Sequence, residues 1–327
     1  MPWTAIHAKI HTLLKTTSLL PKDTAILMGV SGGQDSLCLA KLLLDLQPKW
    51  NWQLAVVHCD HGWRSDSADN AAHVAKLVRQ WQLPYFVATA PELPKTEAAA
   101  RSWRYGIFAE LASTHSYCHV VTGHTATDRA ETVLYNLLRG SGADGVQALS
   151  WQRPLSITHQ DVYVTRPLLQ LTRQETGLFC RELALPVWQD ASNENLHYRR
   201  NRIRQELMPY LRSHFNPNVE TTLAQTAEIF TAEVTYLEAQ SQQLYSEVIN
   251  RMDQNGWRMR RLLLRAAPLA LQRRVVRRLL QRVLPQQPTF DHIEKLVALA
   301  DAPNRTQTDP FPGGLIARVE HDWITLQ

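Results

Sequence analysis

The chain has 327 residues, enough for two domains and a sizeable core. Hydrophobic residues make up 44% and charged residues 20%, with no apolar stretch long enough to span a membrane, so a disordered chain and a helical membrane protein are both excluded. The net charge of +5 is modest, but arginines crowd residues 198–204 and 258–282 where acids are sparse, which points to a polyanionic partner.

Strand and helix patterns alternate from the start. Residues 5–20 read as an amphipathic helix and 25–30 as a buried apolar strand. The loop Ser31-Gly32-Gly33-Gln34-Asp35-Ser36 follows, and a helix pattern continues through Leu37, Leu39, Leu42, Leu43 and Leu46. Further strands are expected at 53–59, 85–88 and 119–122. Helices are expected at 67–81, capped by Asp66 or Ser65, at 95–114, and at 128–138, closed by Gly140-Ser141-Gly142. This order predicts an α/β fold, a Rossmann-like parallel sheet covered on both faces, with ligands beyond the carboxyl ends of its strands.

After residue 150 the texture changes. Residues 157–158 and 162–165 are expected to pair as a hairpin, and Thr172-Arg173-Gln174-Glu175 is a capping-box pattern. Residues 196–211 read as a basic helix ending near Pro209. The polar turn at 215–218 is the expected boundary between a domain of residues 1–214 and a smaller, mainly helical domain of residues 215–327. In the second domain the pattern predicts helices at 219–249, 262–283 and 290–300, then a terminal β-hairpin from 314–320 and 323–326. The long helices offer surface for gripping RNA or for a homodimer.

The loop at 31–36 carries the most chemical information. A glycine loop between a strand and a helix binds anions through backbone N–H groups and the positive end of the helix dipole. Gly32 and Gly33 let the backbone approach phosphate oxygens, Ser31 and Ser36 offer hydroxyl donors, and Asp35 can hold a magnesium ion. No lysine stands where G-x-x-x-x-G-K-[ST] needs one, and G-x-G-x-x-G is absent.

Two further motifs follow strands. His58-Cys59-Asp60-His61-Gly62 has metal-ligating residue types, but neighbours leaving a strand point apart, so nucleotide positioning is favoured over a metal site. The plainer reading is a strand-end turn in which Asp60 satisfies local N–H groups. In Gly123-His124-Thr125-Ala126-Thr127-Asp128-Arg129-Ala130-Glu131, a helix that begins early would put His124, Asp128 and Glu131 on one face. The structural alternative is that Asp128 caps the helix and Glu131 sits on its dipole.

Arg101 and Arg104, one helical turn apart, suit a phosphate or a base, or else form a solvated face. The stretch 190–204, with Arg199, Arg200, Arg202 and Arg204, reads as RNA backbone recognition with His197 or Tyr198 available for stacking. The four cysteines, Cys38, Cys59, Cys118 and Cys180, form no C-x-x-C and are expected to be inert thiols. The first residues, Met1-Pro2-Trp3-Thr4-Ala5, lack a secretory signal, so a cytoplasmic location is expected.

Taken in order, these motifs resemble the short form of the tRNA(Ile)-lysidine synthases, a family of the PP-loop ATP pyrophosphatase superfamily. The resemblance rests on 31–36, 58–62, Ala100-Arg101 with Arg104-Tyr105, Gly123-His124 with Asp128 and Glu131-Thr132, Leu138-Arg139-Gly140-Ser141-Gly142, Arg166-Pro167-Leu168-Leu169, and Asp190-x-Ser192-Asn193 with Arg200-Asn201-x-Ile203-Arg204. The family has histidine and aspartate where this chain has Thr125 and Thr127, glutamine at Arg129 and leucine at Trp63.

The resemblance implies ATP and Mg2+ as cofactors, L-lysine as co-substrate and a CAU-anticodon tRNA(Ile) as partner. The wobble cytidine would be adenylated on its C2 oxygen, and lysine would then displace AMP. It implies Asp35, His124, Asp128 and Glu131 as catalytic residues. ATP would be held by Ser31, Gly32, Gly33, Gln34, Asp35, Ser36, His58, Asp60 and His61, with magnesium on Asp35. Arg101, Arg104, Arg139, Arg200, Asn201 and Arg204 would face tRNA. A PP-loop tRNA thiolation enzyme is the main rival, and the missing paired cysteines argue against it. A non-catalytic tRNA-binding relative is another, against which the intact Asp35 and Ser36 speak.

Overall fold

A short apolar run becomes a buried strand when both of its faces are covered. In a computed structural model, which describes residues 3–62, 66–94, 96–156, 161–189, 196, 199–252 and 256–327, β1 (Ala25–Gly29) is such a strand. Ile26 and Met28 face one apolar cluster and Leu27 the opposite one. In β2 (Gln53–Asp60), Leu54 and Val56 likewise join the first cluster, and Ala55 and Val57 the second.

With β3 (Tyr85–Thr89), β4 (His119–Thr122), β5 (Gln152–Pro154) and β6 (Tyr163–Thr165), they form a six-stranded sheet ordered β3-β2-β1-β4-β6-β5. Every pairing is parallel except β5 with β6. The hairpin expected at 157–165 therefore exists with a different first arm, 152–154, because Leu155 turns inward to the core; residues 157–160 lie outside the described residues.

The helices cover both faces. On one side lie α1 (Ala5–Thr17), α2 (Gln34–Trp50) and α3 (Ser67–Gln80), through Ile10, Leu39, Leu43 and Val74. On the other lies α4 (Glu97–Thr114), through Phe108, Ala109 and Ala112. The chain steps from β1 to β2 on one side and returns to place β4 on the other. Order therefore reverses between β1 and β4, the point where open α/β sheets bind ligands.

Next come α5 (Ala126–Leu138), α6 (Ala143–Val146), α7 (Arg173–Glu182), α8 (Arg199–Arg202) and α9 (Met208–His214). The basic helix expected to end near Pro209 continues to His214. A π-helical turn at Ile203–Leu207 widens the backbone just before the proline and relieves the clash its ring would make one turn back.

The chain divides into two compact units, Met1–Phe230 and Thr231–Gln327. The turn at 215–218 lies inside the first unit and opens α10 (Val219–Val248). The first turns of α10 pack Leu223, Ala227 and Phe230 against Val133 and Val146, which draws them into the first unit.

The second unit adds α11 (Arg261–Ala266), α12 (Leu269–Val283) and α13 (Phe290–Ala298). The single helix expected at 262–283 is broken because Pro268 cannot donate a backbone hydrogen bond inside it. The terminal hairpin, β9 (Ala317–Glu320) and β10 (Trp323–Leu326), is half of a four-stranded antiparallel sheet. Its other half is β7 (Ile249–Arg251) and β8 (Trp257–Arg260), and the order is β7-β8-β10-β9. Val275, Leu279, Leu296, Met259 and Ile324 form this unit's core.

Candidate active site

The glycine loop is shaped by its own hydroxyls. Ser36, buried in the first turn of α2, donates to the Gly33 carbonyl at 2.8 Å and accepts from the Ser31 N–H at 3.2 Å. Gly32 has φ +85°, which only glycine adopts without strain, and a Cβ there would lie 2.5 Å from the Asn70 Oδ1. The Asn70 amide donates to the Ser31 carbonyl at 3.0 Å, and the Trp188 N–H donates to the Gly32 carbonyl at 3.0 Å. Gly33 caps α2 without a side chain, so no side-chain cap takes up the first amides of the helix at the β1 tip.

Asp35 stands in that first turn. Its Oδ1 accepts from the Thr176 hydroxyl at 2.5 Å, and its Oδ2 lies 3.5 Å from the Arg173 Nη1. Burial raises its pKa above the ordinary carboxylate value, and Arg173 opposes that shift. Among the described residues no group of three or more His, Cys, Asp or Glu side chains could hold a metal ion. A magnesium ion that travels with a nucleotide needs only one or two carboxylates, the rest of its shell being water and phosphate. A buried carboxylate at a phosphate-type loop fits that need, and Asp35 is the residue that would supply it.

At the tip of β2, His58 is buried and donates from Nδ1 to the Val30 carbonyl at 2.9 Å, tying β2 to the root of the loop. Asp60 accepts from the Gly62 N–H at 2.8 Å, the local turn that its spacing allowed. His61 meets Trp103 edge-on at 5.1 Å between centroids. Burial, with Arg104 nearby, pushes its pKa down to about 4, so it is neutral at pH 7. Arg104 faces this corner, beside Cys59 and His61, and its own pKa is lowered by burial.

At the tip of β4 the chain approaches α2 closely. A Cβ on Gly123 would lie 2.8 Å from the Asp35 carbonyl oxygen. His124 follows, its Nδ1 2.8 Å from the Thr122 hydroxyl. Helix α5 does not begin early enough to include it. Thr125 is the N-cap, and Asp128 completes the capping box by accepting from the Thr125 N–H and hydroxyl, both at 2.9 Å. Asp128 is thus the N3 member of the cap, not the cap itself. Burial and the guanidiniums of Arg166, Arg101 and Arg200 push the His124 pKa down to about 3. Burial alone would raise Asp128, but His124, Arg204 and Arg200 hold its carboxyl below the ordinary range.

Glu131 is fully buried one turn further on. Arg204 grips it with two hydrogen bonds, Nε to Oε1 at 2.6 Å and Nη2 to Oε2 at 2.9 Å, and also donates to Asp128 Oδ1 at 3.0 Å. Burial raises the Glu131 pKa and Arg204 opposes it. Arg200 lies 3.7 Å from Glu131 and donates to the Thr132 hydroxyl at 3.3 Å.

The structure therefore joins His124, Asp128, Glu131, Arg200 and Arg204 in one network beside the loop. Arg101 reaches the same region and donates to the Tyr105 hydroxyl at 3.1 Å. Asn201 sits half-buried in α8. Arg139 is not part of the site. It is exposed at the far end of α5, about 20 Å of helix from the cap, with its guanidinium over Tyr135. The Asp-x-Ser-Asn turn at 190–193 and both proposed stacking residues, His197 and Tyr198, lie outside the described residues.

Sequence reading missed three contributors. Arg173 and Thr176 come from α7, whose capping box signalled only a helix start. Arg166, wholly buried after β6, donates to the Ser150 carbonyl at 2.7 Å, and its Nε has no hydrogen-bond partner. Thr127 and Thr125 have structural work: Thr127 donates to Glu220 at 2.7 Å and accepts from the Arg173 N–H at 3.0 Å.

A parallel sheet with a serine–glycine loop at its switch point, and a carboxylate–arginine network across from it, defines a PP-loop nucleotide-using domain. A family model described as the PP-loop domain matches residues 2–211, and one described as the TilS substrate binding domain matches residues 262–324. The chain is 52% identical to a tRNA(Ile)-lysidine synthase of Nostoc sp., covering all of this chain and 98% of that one. It is 51% identical to a tRNA(Ile)-lysidine synthase of Synechocystis sp., over 99% and 98% of the two chains. The chain belongs to the tRNA(Ile)-lysidine synthase family, ATP-dependent ligase-type enzymes. Among solved structures, a U34-tRNA thiolase from Methanococcus maripaludis shares the fold, with a TM-score of 0.56 and 18% identity over 68% of this chain and 77% of the other.

Proposed function

We propose that the protein joins free lysine to C2 of the wobble cytidine in a CAU-anticodon tRNA(Ile), using ATP. Family membership supports the overall reaction. The observation that carries its assignment to residues is the placement of two unlike groups at one switch point: the N-terminus of α2, without a side-chain cap, at the β1 tip, and the network of His124, Asp128, Glu131, Arg200 and Arg204 at the β4 tip.

In this reading the amides of Gly32 and Gly33, with the α2 dipole, hold the outer phosphates of ATP. His58 and Ser36 shape the loop, and the turn around Asp60 and His61 flanks the nucleoside. Asp35 would hold a magnesium ion that comes with the nucleotide, and that ion would supply positive charge against the leaving pyrophosphate. Cytosine O2 is a poor leaving group, so adenylation precedes attack by the amine. The wobble cytosine is single-stranded and costs little to unstack into the site.

The attacking lysine must lose a proton, with an unperturbed pKa of about 10.4. Asp128, held ionised by its arginines, orients the ammonium. The ammonium loses its proton to solvent before attack, and His124, kept neutral by burial, accepts a hydrogen bond from the amine. Arg101, Arg104 and Arg200 approach the RNA backbone, and Arg139 adds a contact further out. No helix among the described residues is long and apolar enough to cross a membrane.

Incubation with CAU-anticodon tRNA, ATP-magnesium and labelled lysine tests this directly. Label should enter the tRNA with release of AMP and pyrophosphate, and Asp35→Ala should abolish both. Label transfer by Asp35→Ala at the normal rate would refute the role of Asp35.

A further inference from the structure

Arg173 opens α7, and its backbone is fixed from both sides. Its N–H donates to the Thr127 hydroxyl at 3.0 Å, and its carbonyl accepts from Gln34 Nε2 at 2.6 Å and from the Thr176 hydroxyl at 3.0 Å. The side chain is held much less firmly. It is 37% exposed, and its Nη1 lies 3.5 Å from Asp35 Oδ2, too long for a strong charge-assisted hydrogen bond.

A pair this open contributes little to stability. Nor is it needed to dock α7 on α2, because Gln34, Thr176 and Cys180 already join the two helices. What the arrangement does is place a guanidinium on a rigid base against the carboxylate that would carry magnesium. A divalent cation on Asp35 would repel that guanidinium while bringing phosphate oxygens within its reach. Guanidinium geometry suits two phosphate oxygens at once.

We propose that Arg173 is a ligand of the ATP triphosphate, parked on Asp35 until the magnesium-bearing nucleotide arrives and then turning onto the outer phosphates. The proposal rests on the reading of the 31–36 loop as the triphosphate site. It gives Asp35 two successive partners and explains why an arginine, not a smaller cap neighbour, stands at the first position of α7.

Calorimetric binding of ATP, AMP and inorganic pyrophosphate, with magnesium and with chelator, tests it on the full chain. Arg173→Ala should weaken ATP and pyrophosphate about tenfold or more in magnesium, the scale of one charged hydrogen bond, and leave AMP unchanged. Arg173→Lys should fall between the two. Asp35→Asn should bind magnesium-free ATP more tightly than the wild type, because Arg173 is released, and the double variant Asp35→Asn/Arg173→Ala should lose that gain. Thermal melts report that each variant is folded.

Equal affinity of Arg173→Ala and wild type for ATP, or equal loss for ATP and AMP, would overturn the proposal. The loop reading is checked separately with Gly32→Ala. If wild type prefers ATP to AMP and Gly32→Ala loses that preference while Arg173→Ala keeps it, only the role of Arg173 falls. If wild type shows no preference, the loop reading falls and takes this proposal with it.

Discussion

Arg204 and Glu131 are locked together by two parallel hydrogen bonds of 2.6 and 2.9 Å, around a carboxylate that is wholly out of solvent. An arginine from a run that reads as RNA-binding is thus committed, in this structure, to the acids of the site. Removing it leaves a buried charge without its main partner, and breaking such a pair costs about 3–5 kcal/mol. Arg204→Ala should therefore lower the Tm substantially as well as abolish lysine transfer. Arg204→Ala with Glu131→Gln should recover part of the stability and none of the activity. An unchanged Tm in Arg204→Ala would show that the pair is not the anchor described here.

Arg139 should behave in the opposite way. It is exposed and remote from the loop, so Arg139→Ala should leave ATP affinity and Tm unchanged. Loss of one phosphate contact should weaken tRNA binding and reduce the slope of log K against log salt by about 1. Filter binding over a salt series reads this, and an unaltered slope would remove Arg139 from the RNA surface.

Gly123→Ala tests the close approach of the β4 tip to the loop helix. The added methyl would meet the Asp35 carbonyl at 2.8 Å, and backbone there cannot yield without moving the first turn of α2. Overpacking of this kind costs about 1–3 kcal/mol. Because the strain falls on the loop, ATP affinity should drop by more than the Tm implies. Normal ATP affinity would mean the two tips are not coupled.

Acid should destabilise the fold through its buried histidines. His61 and His119 are pushed down from 6.5 to about 4, by burial in both cases and by Arg104 as well for His61. Between those values the unfolded chain binds protons that the folded chain does not, so stability is full above pH 6.5 and falls as pH drops toward 4. Urea midpoints should decline from pH 7.5 to pH 5, and His119→Gln should flatten the decline. A midpoint independent of pH over that range would contradict these shifts.

How far the sequence discloses this site depends on the range of the contact. The β1–loop–α2 unit is legible because an apolar run, two glycines and a leucine-rich helix are contiguous. The α5 start is misread by two residues because Thr125-x-x-Asp128 is a capping box with aspartate in place of the usual glutamate. Pro268 sits inside what reads as one helix over 262–283, and the β7–β8 hairpin falls between the helices expected at 219–249 and 262–283, where no strand is expected. Thr176 meets Asp35 across a separation of 141 residues, and Arg204 meets Glu131 across 73. No local pattern encodes such pairs. Only folding α7 and the π-helical turn at Ile203–Leu207 onto the sheet's carboxyl edge brings them together.

The most direct test of the account is mass spectrometry of the wobble nucleoside after incubating CAU-anticodon tRNA with the purified protein, ATP-magnesium and isotopically labelled lysine. The account predicts cytidine converted to a lysine adduct carrying the label, in wild type and not in Asp35→Ala. A wobble cytidine left unmodified while ATP is bound at the loop, or one carrying sulfur in place of lysine, would contradict it.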